Sequence, residues 1–204
     1  MRVIIFDYDG VFVDSLAYCA GVHNRLCADH NLPPVDGPAE MAQRFMNDLA
    51  ATFHADGMDQ AALLSYLKAI QAEFAHSYHD LPPVEGMREL VMSLNDERYI
   101  VTSNVSIIVE RHMREHGIGS MIEVLGADKE FSKIKKIETI KAKHPGDKVI
   151  FVTDTVNDII EGKHTGAIII AVTWGYHDRQ TLEKAGPDHV VDTPAELKIL
   201  LEKL

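Results

Sequence analysis

Short unbroken apolar runs alternate along this chain with longer stretches whose apolar residues recur every three or four positions. The runs are Val3–Phe6, Tyr99–Val101, Ile122–Leu125, Val149–Val152, Ala167–Val172 and Val190–Val191. Runs this short, rich in β-branched residues and without polar alternation, predict strands covered on both faces. Between them, Met87, Leu90, Val91 and Leu94 fall on one helical face, Ile134, Ile137 and Ile140 on a weaker one, and Leu197, Leu200, Leu201 and Leu204 on a third. Thr193-Pro194-Ala195-Glu196 predicts the start of the last helix, a capping box with proline at the first helical position. This alternation predicts an α/β fold, a Rossmann-like doubly wound parallel sheet with helices on both faces.

One region breaks the pattern. From Leu16 to Asp80 no strand-like run occurs, Leu63, Leu67, Ile70 and Phe74 share one helical stripe, and Gly57 separates two helical patterns. Residues 16–80 therefore read as an all-helical insertion after the first strand, and residues 1–15 and 81–204 as the α/β core. Leu81-Pro82-Pro83 is the predicted return linker, because consecutive prolines end a helix. The Leu63 stripe, with Met41 and Met46, reads as the core of the insertion.

Composition narrows the class. A formal net charge of −11 argues against nucleic acid, whose backbone needs a basic face. No apolar run approaches membrane-spanning length, so no membrane partner is expected. The N-terminus carries a single Arg and enters a strand at once, without signal-peptide organisation. Cys19 and Cys27 form no disulfide framework, so a reducing cytoplasm is the expected compartment. The 11 histidines show no zinc spacing.

Four segments carry candidate chemistry. Asp7 and Asp9 follow the first run directly, and Gly10 permits a sharp turn after them. Paired carboxylates at the end of a buried strand are costly unless a cation or a reaction needs them. Thr102, Ser103 and Asn104 follow the second run, where hydroxyls and a helix N-terminus make an anion site or simply a helix cap. Lys133 opens a helical stretch and is either an ammonium at the same sheet edge or a solvated residue. Asp154 and Asp158 follow the fourth run; Asp158 also suits a first-turn acid serving the helix dipole. Within the insertion the Lys and Arg residues are Arg25, Arg44 and Lys68, and Arg44 is a candidate anion clamp against a solvated alternative.

In order and spacing these segments resemble the haloacid dehalogenase superfamily, in its phosphatase branch with a helical cap inserted after the first motif. Asp7-Tyr8-Asp9-Gly10-Val11-Phe12-Val13-Asp14-Ser15 resembles the first motif, Thr102 with Ser103 and Asn104 the second, Lys133 the third, and Asp154 with Asp158 the fourth. Trp174-Gly175-Tyr176 and Pro187-Asp188-His189-Val190-Val191-Asp192 resemble the tail of phosphoglycolate-phosphatase-like members. Three positions depart from the pattern. Val11 stands for a usual threonine, Thr153 for a common glycine, and Ile134 for a frequent proline, which leaves Lys135 and Lys136 as alternative matches to the third motif.

The resemblance implies hydrolysis of a small phosphorylated metabolite, with Asp7 as nucleophile and Asp9 as general acid and base. Thr102 and Lys133 would stabilise charge, while Gly10, Ser103, Asn104 and Arg44 would contact substrate. It also implies Mg²⁺, held by Asp7, the Asp9 backbone carbonyl, Asp154, and Asp158 directly or through water. The physical need for a cation is plain: two like charges about 4 Å apart repel by roughly 4 kcal/mol at an effective dielectric of about 20. Two other readings remain at this level, a β-phosphoglucomutase-like phosphoryl transferase and a non-catalytic module binding a phospholigand or protein.

Overall fold

The computed structural model describes residues 1–47, 49–118 and 122–204. Each predicted run forms a strand: β1 (Arg2–Phe6), β2 (Glu97–Val101), β3 (Glu123–Leu125), β4 (Lys148–Thr153), β5 (Ile168–Val172) and β6 (His189–Val191). They build one six-stranded sheet in the order β3-β2-β1-β4-β5-β6. All its pairings are parallel. β1 lies between β2 and β4, with Val3 in register with Glu97 on one side and Val149 on the other. The strand order reverses there, so the carboxyl end of β1 is a topological switch point, where open α/β sheets hold ligands.

The long connection after β1 is helical, as its periodicity predicts. It contains α1 (Leu16–Leu26), α2 (Pro38–Gln43), α3 (Leu49–Ala55) and α4 (Gln60–Ser77). Gly57 makes the turn between α3 and α4 at φ +92°, a conformation that disfavours any side chain. Asp59 then caps α4, accepting from the Ala62 amide at 2.8 Å. This segment has its own apolar clusters, one around Phe53, Leu63 and Tyr66 and one around Cys19, Val35 and Met41. The outgoing and returning linkers lie side by side: Val13 bridges Pro83, and the Val84 amide donates to the Phe12 carbonyl at 2.8 Å.

The remaining helices cover both faces of the sheet: α5 (Met87–Ser93), α6 (Ser106–Glu115), α7 (Lys133–Lys143), α8 (Val156–His164), α9 (Arg179–Ala185) and α10 (Pro194–Lys203). Side chains alternate along each strand, so Ile4, Phe6, Ile100 and Ile150 pack toward α5, α6 and α10. Val3, Ile5, Val101 and Phe151 pack toward α7, α8 and α9. Full burial of each such side chain stabilises the fold by about 1.5–3 kcal/mol. At α10, Thr193 accepts from the Glu196 amide at 3.1 Å, and Glu196 reaches back to the Asp192 amide at 2.8 Å. The reciprocal bond therefore falls one residue earlier than in the standard box. Among the described residues no helix is long and apolar enough to cross a membrane.

Candidate active site

The sheet brings the candidate motifs to one edge. Asp7 continues β1, its amide donating to the Val152 carbonyl at 2.9 Å, and Asp154 follows the neighbouring β4. Thr102 follows β2 on the other side, while Lys133 is the first residue of α7, whose start Ser132 caps. Asp158 sits in the first turn of α8, its amide 3.4 Å from the Thr155 hydroxyl. Asp7, Asp9, Thr102, Ser103, Asn104, Lys133 and Asp158 all line a cavity of about 210 Å³ between the helical segment and the sheet edge.

At its floor a buried ammonium joins two buried carboxylates. Lys133 Nζ lies 2.8 Å from Asp7 Oδ2 and 2.7 Å from Asp158 Oδ2. The Thr153 hydroxyl adds a 2.9 Å hydrogen bond to Asp158 Oδ2, a use for the residue that replaces glycine. Burial works to raise Asp158, but the Lys133 charge and the surrounding hydrogen bonds outweigh it and hold its carboxyl low. Asp7 goes the other way: burial pushes it well up, against the pull of Lys133, and the Asp158 and Asp154 charges add to the rise. Its Oδ1 accepts from the Tyr8 amide at 2.7 Å. Lys133 is thus the lysine at the carboxylates. Lys135 faces Glu130 at 3.9 Å, and Lys136 donates to the Thr102 carbonyl at 2.7 Å, burial pushing its ammonium down to about 8.

Asp154 is fully buried, and burial drives its carboxyl up to about 7. Its Oδ2 accepts from the Tyr176 amide at 2.7 Å, whereas Oδ1 is buried with no partner. Two glycines make room for it: a Cβ at Gly10 would fall 1.9 Å from Asp154 Oδ2, and one at Gly175 would fall 2.3 Å away. Gly10 also sits at φ +77°, with its amide bonded to the Val13 carbonyl at 2.9 Å, so it packs on Asp154 and does not line the cavity. Two buried acids pushed upward and an orphaned carboxylate oxygen fit a hard, oxygen-seeking dication. No three His, Cys, Asp or Glu side chains form a ready cage among the described residues. A donor set of few carboxylates, completed by backbone oxygen and water, suits Mg²⁺.

Asp9 is held by two hydroxyls, one from Ser15 at the end of the first motif and one from Tyr78, which sequence reasoning did not single out. Its Oδ1 accepts from Ser15 Oγ at 2.6 Å and from Tyr78 Oη at 2.7 Å. Ser15 precedes α1 but spends its hydroxyl on Asp9, not on capping the helix. Tyr176 Oη lies 2.9 Å from Ser15 Oγ, which extends the chain of hydroxyls toward Asp154. Thr102 Oγ1 accepts from the Asn104 amide at 3.0 Å, leaving its proton to donate; Ser103 is exposed. Asn104 Nδ2 is a buried donor without a partner. Arg44 is placed elsewhere: it pairs with Asp56, lies 5.6 Å over the Phe53 ring and does not line the cavity.

Comparison with known proteins identifies the family. The family described as haloacid dehalogenase-like hydrolase matches residues 4–172. A phosphoglycolate phosphatase from Synechococcus elongatus is 28% identical, over 97% of this chain and 95% of its own. An N-acetylmuramic acid 6-phosphate phosphatase from Pseudomonas aeruginosa is 23% identical, over 100% of this chain and 96% of its own. Among solved structures, a predicted phosphatase from Clostridium acetobutylicum superimposes with a TM-score of 0.84 at 18% identity, covering 100% of this chain and 99% of that one. The chain belongs to the haloacid dehalogenase-like hydrolases.

Proposed function

We propose that this haloacid dehalogenase-like hydrolase is a Mg²⁺-dependent phosphatase, acting on a small phosphorylated metabolite through an aspartyl-phosphate on Asp7. The observation that carries the reading is the Lys133 ammonium held between Asp7 and Asp158 in a cavity that Asp9 also lines. Relatives named as phosphatases of phosphoglycolate and of N-acetylmuramic acid 6-phosphate support phosphomonoesters as the substrate class.

In the first half-reaction a carboxylate oxygen of Asp7 bonds to phosphorus as the ester P–O bond breaks, and Asp9 gives its proton to the departing alkoxide. In the second, Asp9 takes a proton from water, whose oxygen bonds to phosphorus as the Asp7–phosphorus bond breaks. The Thr102 hydroxyl, Asn104 Nδ2 and Lys133 donate to phosphoryl oxygens and stabilise charge that builds there. Asp7, Asp154 and the Asp9 backbone carbonyl would hold Mg²⁺, with Asp158 acting through water because Lys133 and Thr153 already occupy its Oδ2. When bound, the ion offsets the charge of the phosphate and of the gathered carboxylates. Residues 16–80 serve as a cap that shields the first half-reaction from water. The cytoplasm is the proposed setting.

Phosphate release from a panel of phosphomonoesters tests this directly. Parent enzyme with Mg²⁺ should turn over several of them, and chelation or Asp7→Asn should abolish turnover in a folded protein. Full activity in Asp7→Asn would overturn the reading.

A further inference from the structure

The cavity has two chemically different ends. Thr102, Asn104 and Lys133 form the polar end, facing the proposed phosphoryl group. The wall supplied by the helical segment is largely apolar. Leu67, Ile70 and Phe74 stand on one face of α4, each half-buried, and Phe45 joins them from the turn after α2. From the core side, Phe131 lies two residues before Lys133 and is 69% exposed, a phenyl ring at the cavity that the protein itself does not cover.

Charge sharpens the contrast. Lys133 is the sole Lys or Arg among the described lining residues, and it is committed to Asp7 and Asp158. Arg25 is paired with Glu73, Arg44 with Asp56, and Lys68 does not line the cavity. Asp9, Asp158 and Glu161 line it instead. On the cap-side wall, Tyr66 Oη is bound to His23 at 2.6 Å, and Cys19 Sγ lies 3.5 Å from Tyr176 Oη. The neutral amides of Asn47 and Gln71 complete the polar groups there. A leaving group bearing a carboxylate would lose its hydration and meet Asp9 and Asp158, with no Lys or Arg beyond Lys133 among the described lining residues to receive it. An apolar body would bury surface against four hydrocarbon side chains and Phe131.

We propose that the alcohol released by this enzyme is uncharged and largely apolar, so that its substrates are phosphate monoesters of neutral alcohols and not of hydroxy acids. This rests on the phosphatase reading above and departs from the substrate named for the phosphoglycolate relatives. A pocket distinguishes a single methylene by about tenfold or more, so a phenyl group against this wall should count for at least as much.

The test compares 2-phenylethyl phosphate with 2-phosphoglycolate, two esters of unactivated primary alcohols, in the parent enzyme with Mg²⁺. The expected kcat/KM ratio is about a hundredfold in favour of the phenylethyl ester. Ile70→Arg, on the half-exposed face of α4, should shrink that ratio by about tenfold or more by adding the missing cation and removing apolar surface. Equal or better turnover of 2-phosphoglycolate by the parent overturns this inference and leaves the phosphatase reading standing. If both esters and the wider panel are inert, the phosphatase reading fails and takes the inference with it.

Discussion

Tyr78 Oη donates a 2.7 Å hydrogen bond to Asp9 Oδ1, joining the end of the helical segment to the first motif. Ser15, at the segment's beginning, donates to the same oxygen at 2.6 Å. Both crossings between core and helical segment therefore hold the proposed acid and base, and movement at either linker must move Asp9 or break one of these hydrogen bonds. Tyr78→Phe removes one donor and keeps the ring packed between Phe74 and His112. We expect kcat to fall by up to about tenfold with little change in KM, since a hydrogen bond is worth about 0.5–1.5 kcal/mol. Steady-state kinetics decides it; an unchanged kcat would leave Tyr78 a packing residue.

Lys133→Met tests the buried ammonium. It leaves Asp7 and Asp158 facing each other without a counter-charge, at a position only 7% exposed. Activity should drop at least about a hundredfold, because the variant loses a stabiliser of phosphoryl charge. Stability gives a second readout. With their partner gone, Asp158 loses the charge that holds it low and Asp7 rises further, so the native state binds more protons and loses stability as pH increases. Urea midpoints should fall with rising pH more steeply in the variant than in the parent. Parallel profiles would contradict the arrangement.

Asp154 should report the cation without any assay of turnover. In metal-free buffer Asp154→Asn removes a buried acid that burial has pushed up to about 7, so the variant should melt at or above the parent. Added Mg²⁺ at about 100 times its Kd stabilises the parent by about 2.7 kcal/mol, or roughly 5–10 °C in Tm, and should barely move the variant. Differential scanning calorimetry measures both. A parent that ignores Mg²⁺ would remove Asp154 and Asp7 as its holders.

Acid lability has a separate source. His112 Nε2 donates to the Leu81 carbonyl at 2.8 Å, and its Nδ1 lies 2.6 Å from Tyr8 Oη in a buried site that favours the neutral ring. Burial holds it below the ordinary histidine value. Below about pH 6.5 the unfolded chain takes up a proton that the folded one refuses, and stability falls with pH by up to about 1.4 kcal/mol per unit for this group. His112→Gln should flatten the urea-midpoint profile over that range, whereas an unaltered slope would show His112 to be charged in the fold.

All six strands and four motif segments were legible in the sequence because each is written locally, in a run of apolar residues or in the residues that follow it. The hydroxyl contacts of Ser15, Tyr78 and Tyr176 were not, since they meet Asp9 and one another only across 6 to 161 residues of chain. The α4 stripe shows a second limit. Helical spacing places Leu63, Leu67, Ile70 and Phe74 together, yet Leu63 is buried in the segment's own core while the other three line the cavity. Periodicity identifies an apolar face but not what covers it. Arg44 was a candidate clamp by charge alone, and Asp56 claims it. Thr153 read as a departure, although its hydroxyl helps to hold Asp158.

The most direct measurement is the mass of the Asp7-containing peptide after acid quench during turnover of a phosphomonoester with Mg²⁺. The account predicts one added phosphoryl group on Asp7, present in the parent and absent from Asp7→Asn. Sustained hydrolysis with that peptide unmodified, or with the phosphoryl group on another residue, would contradict it.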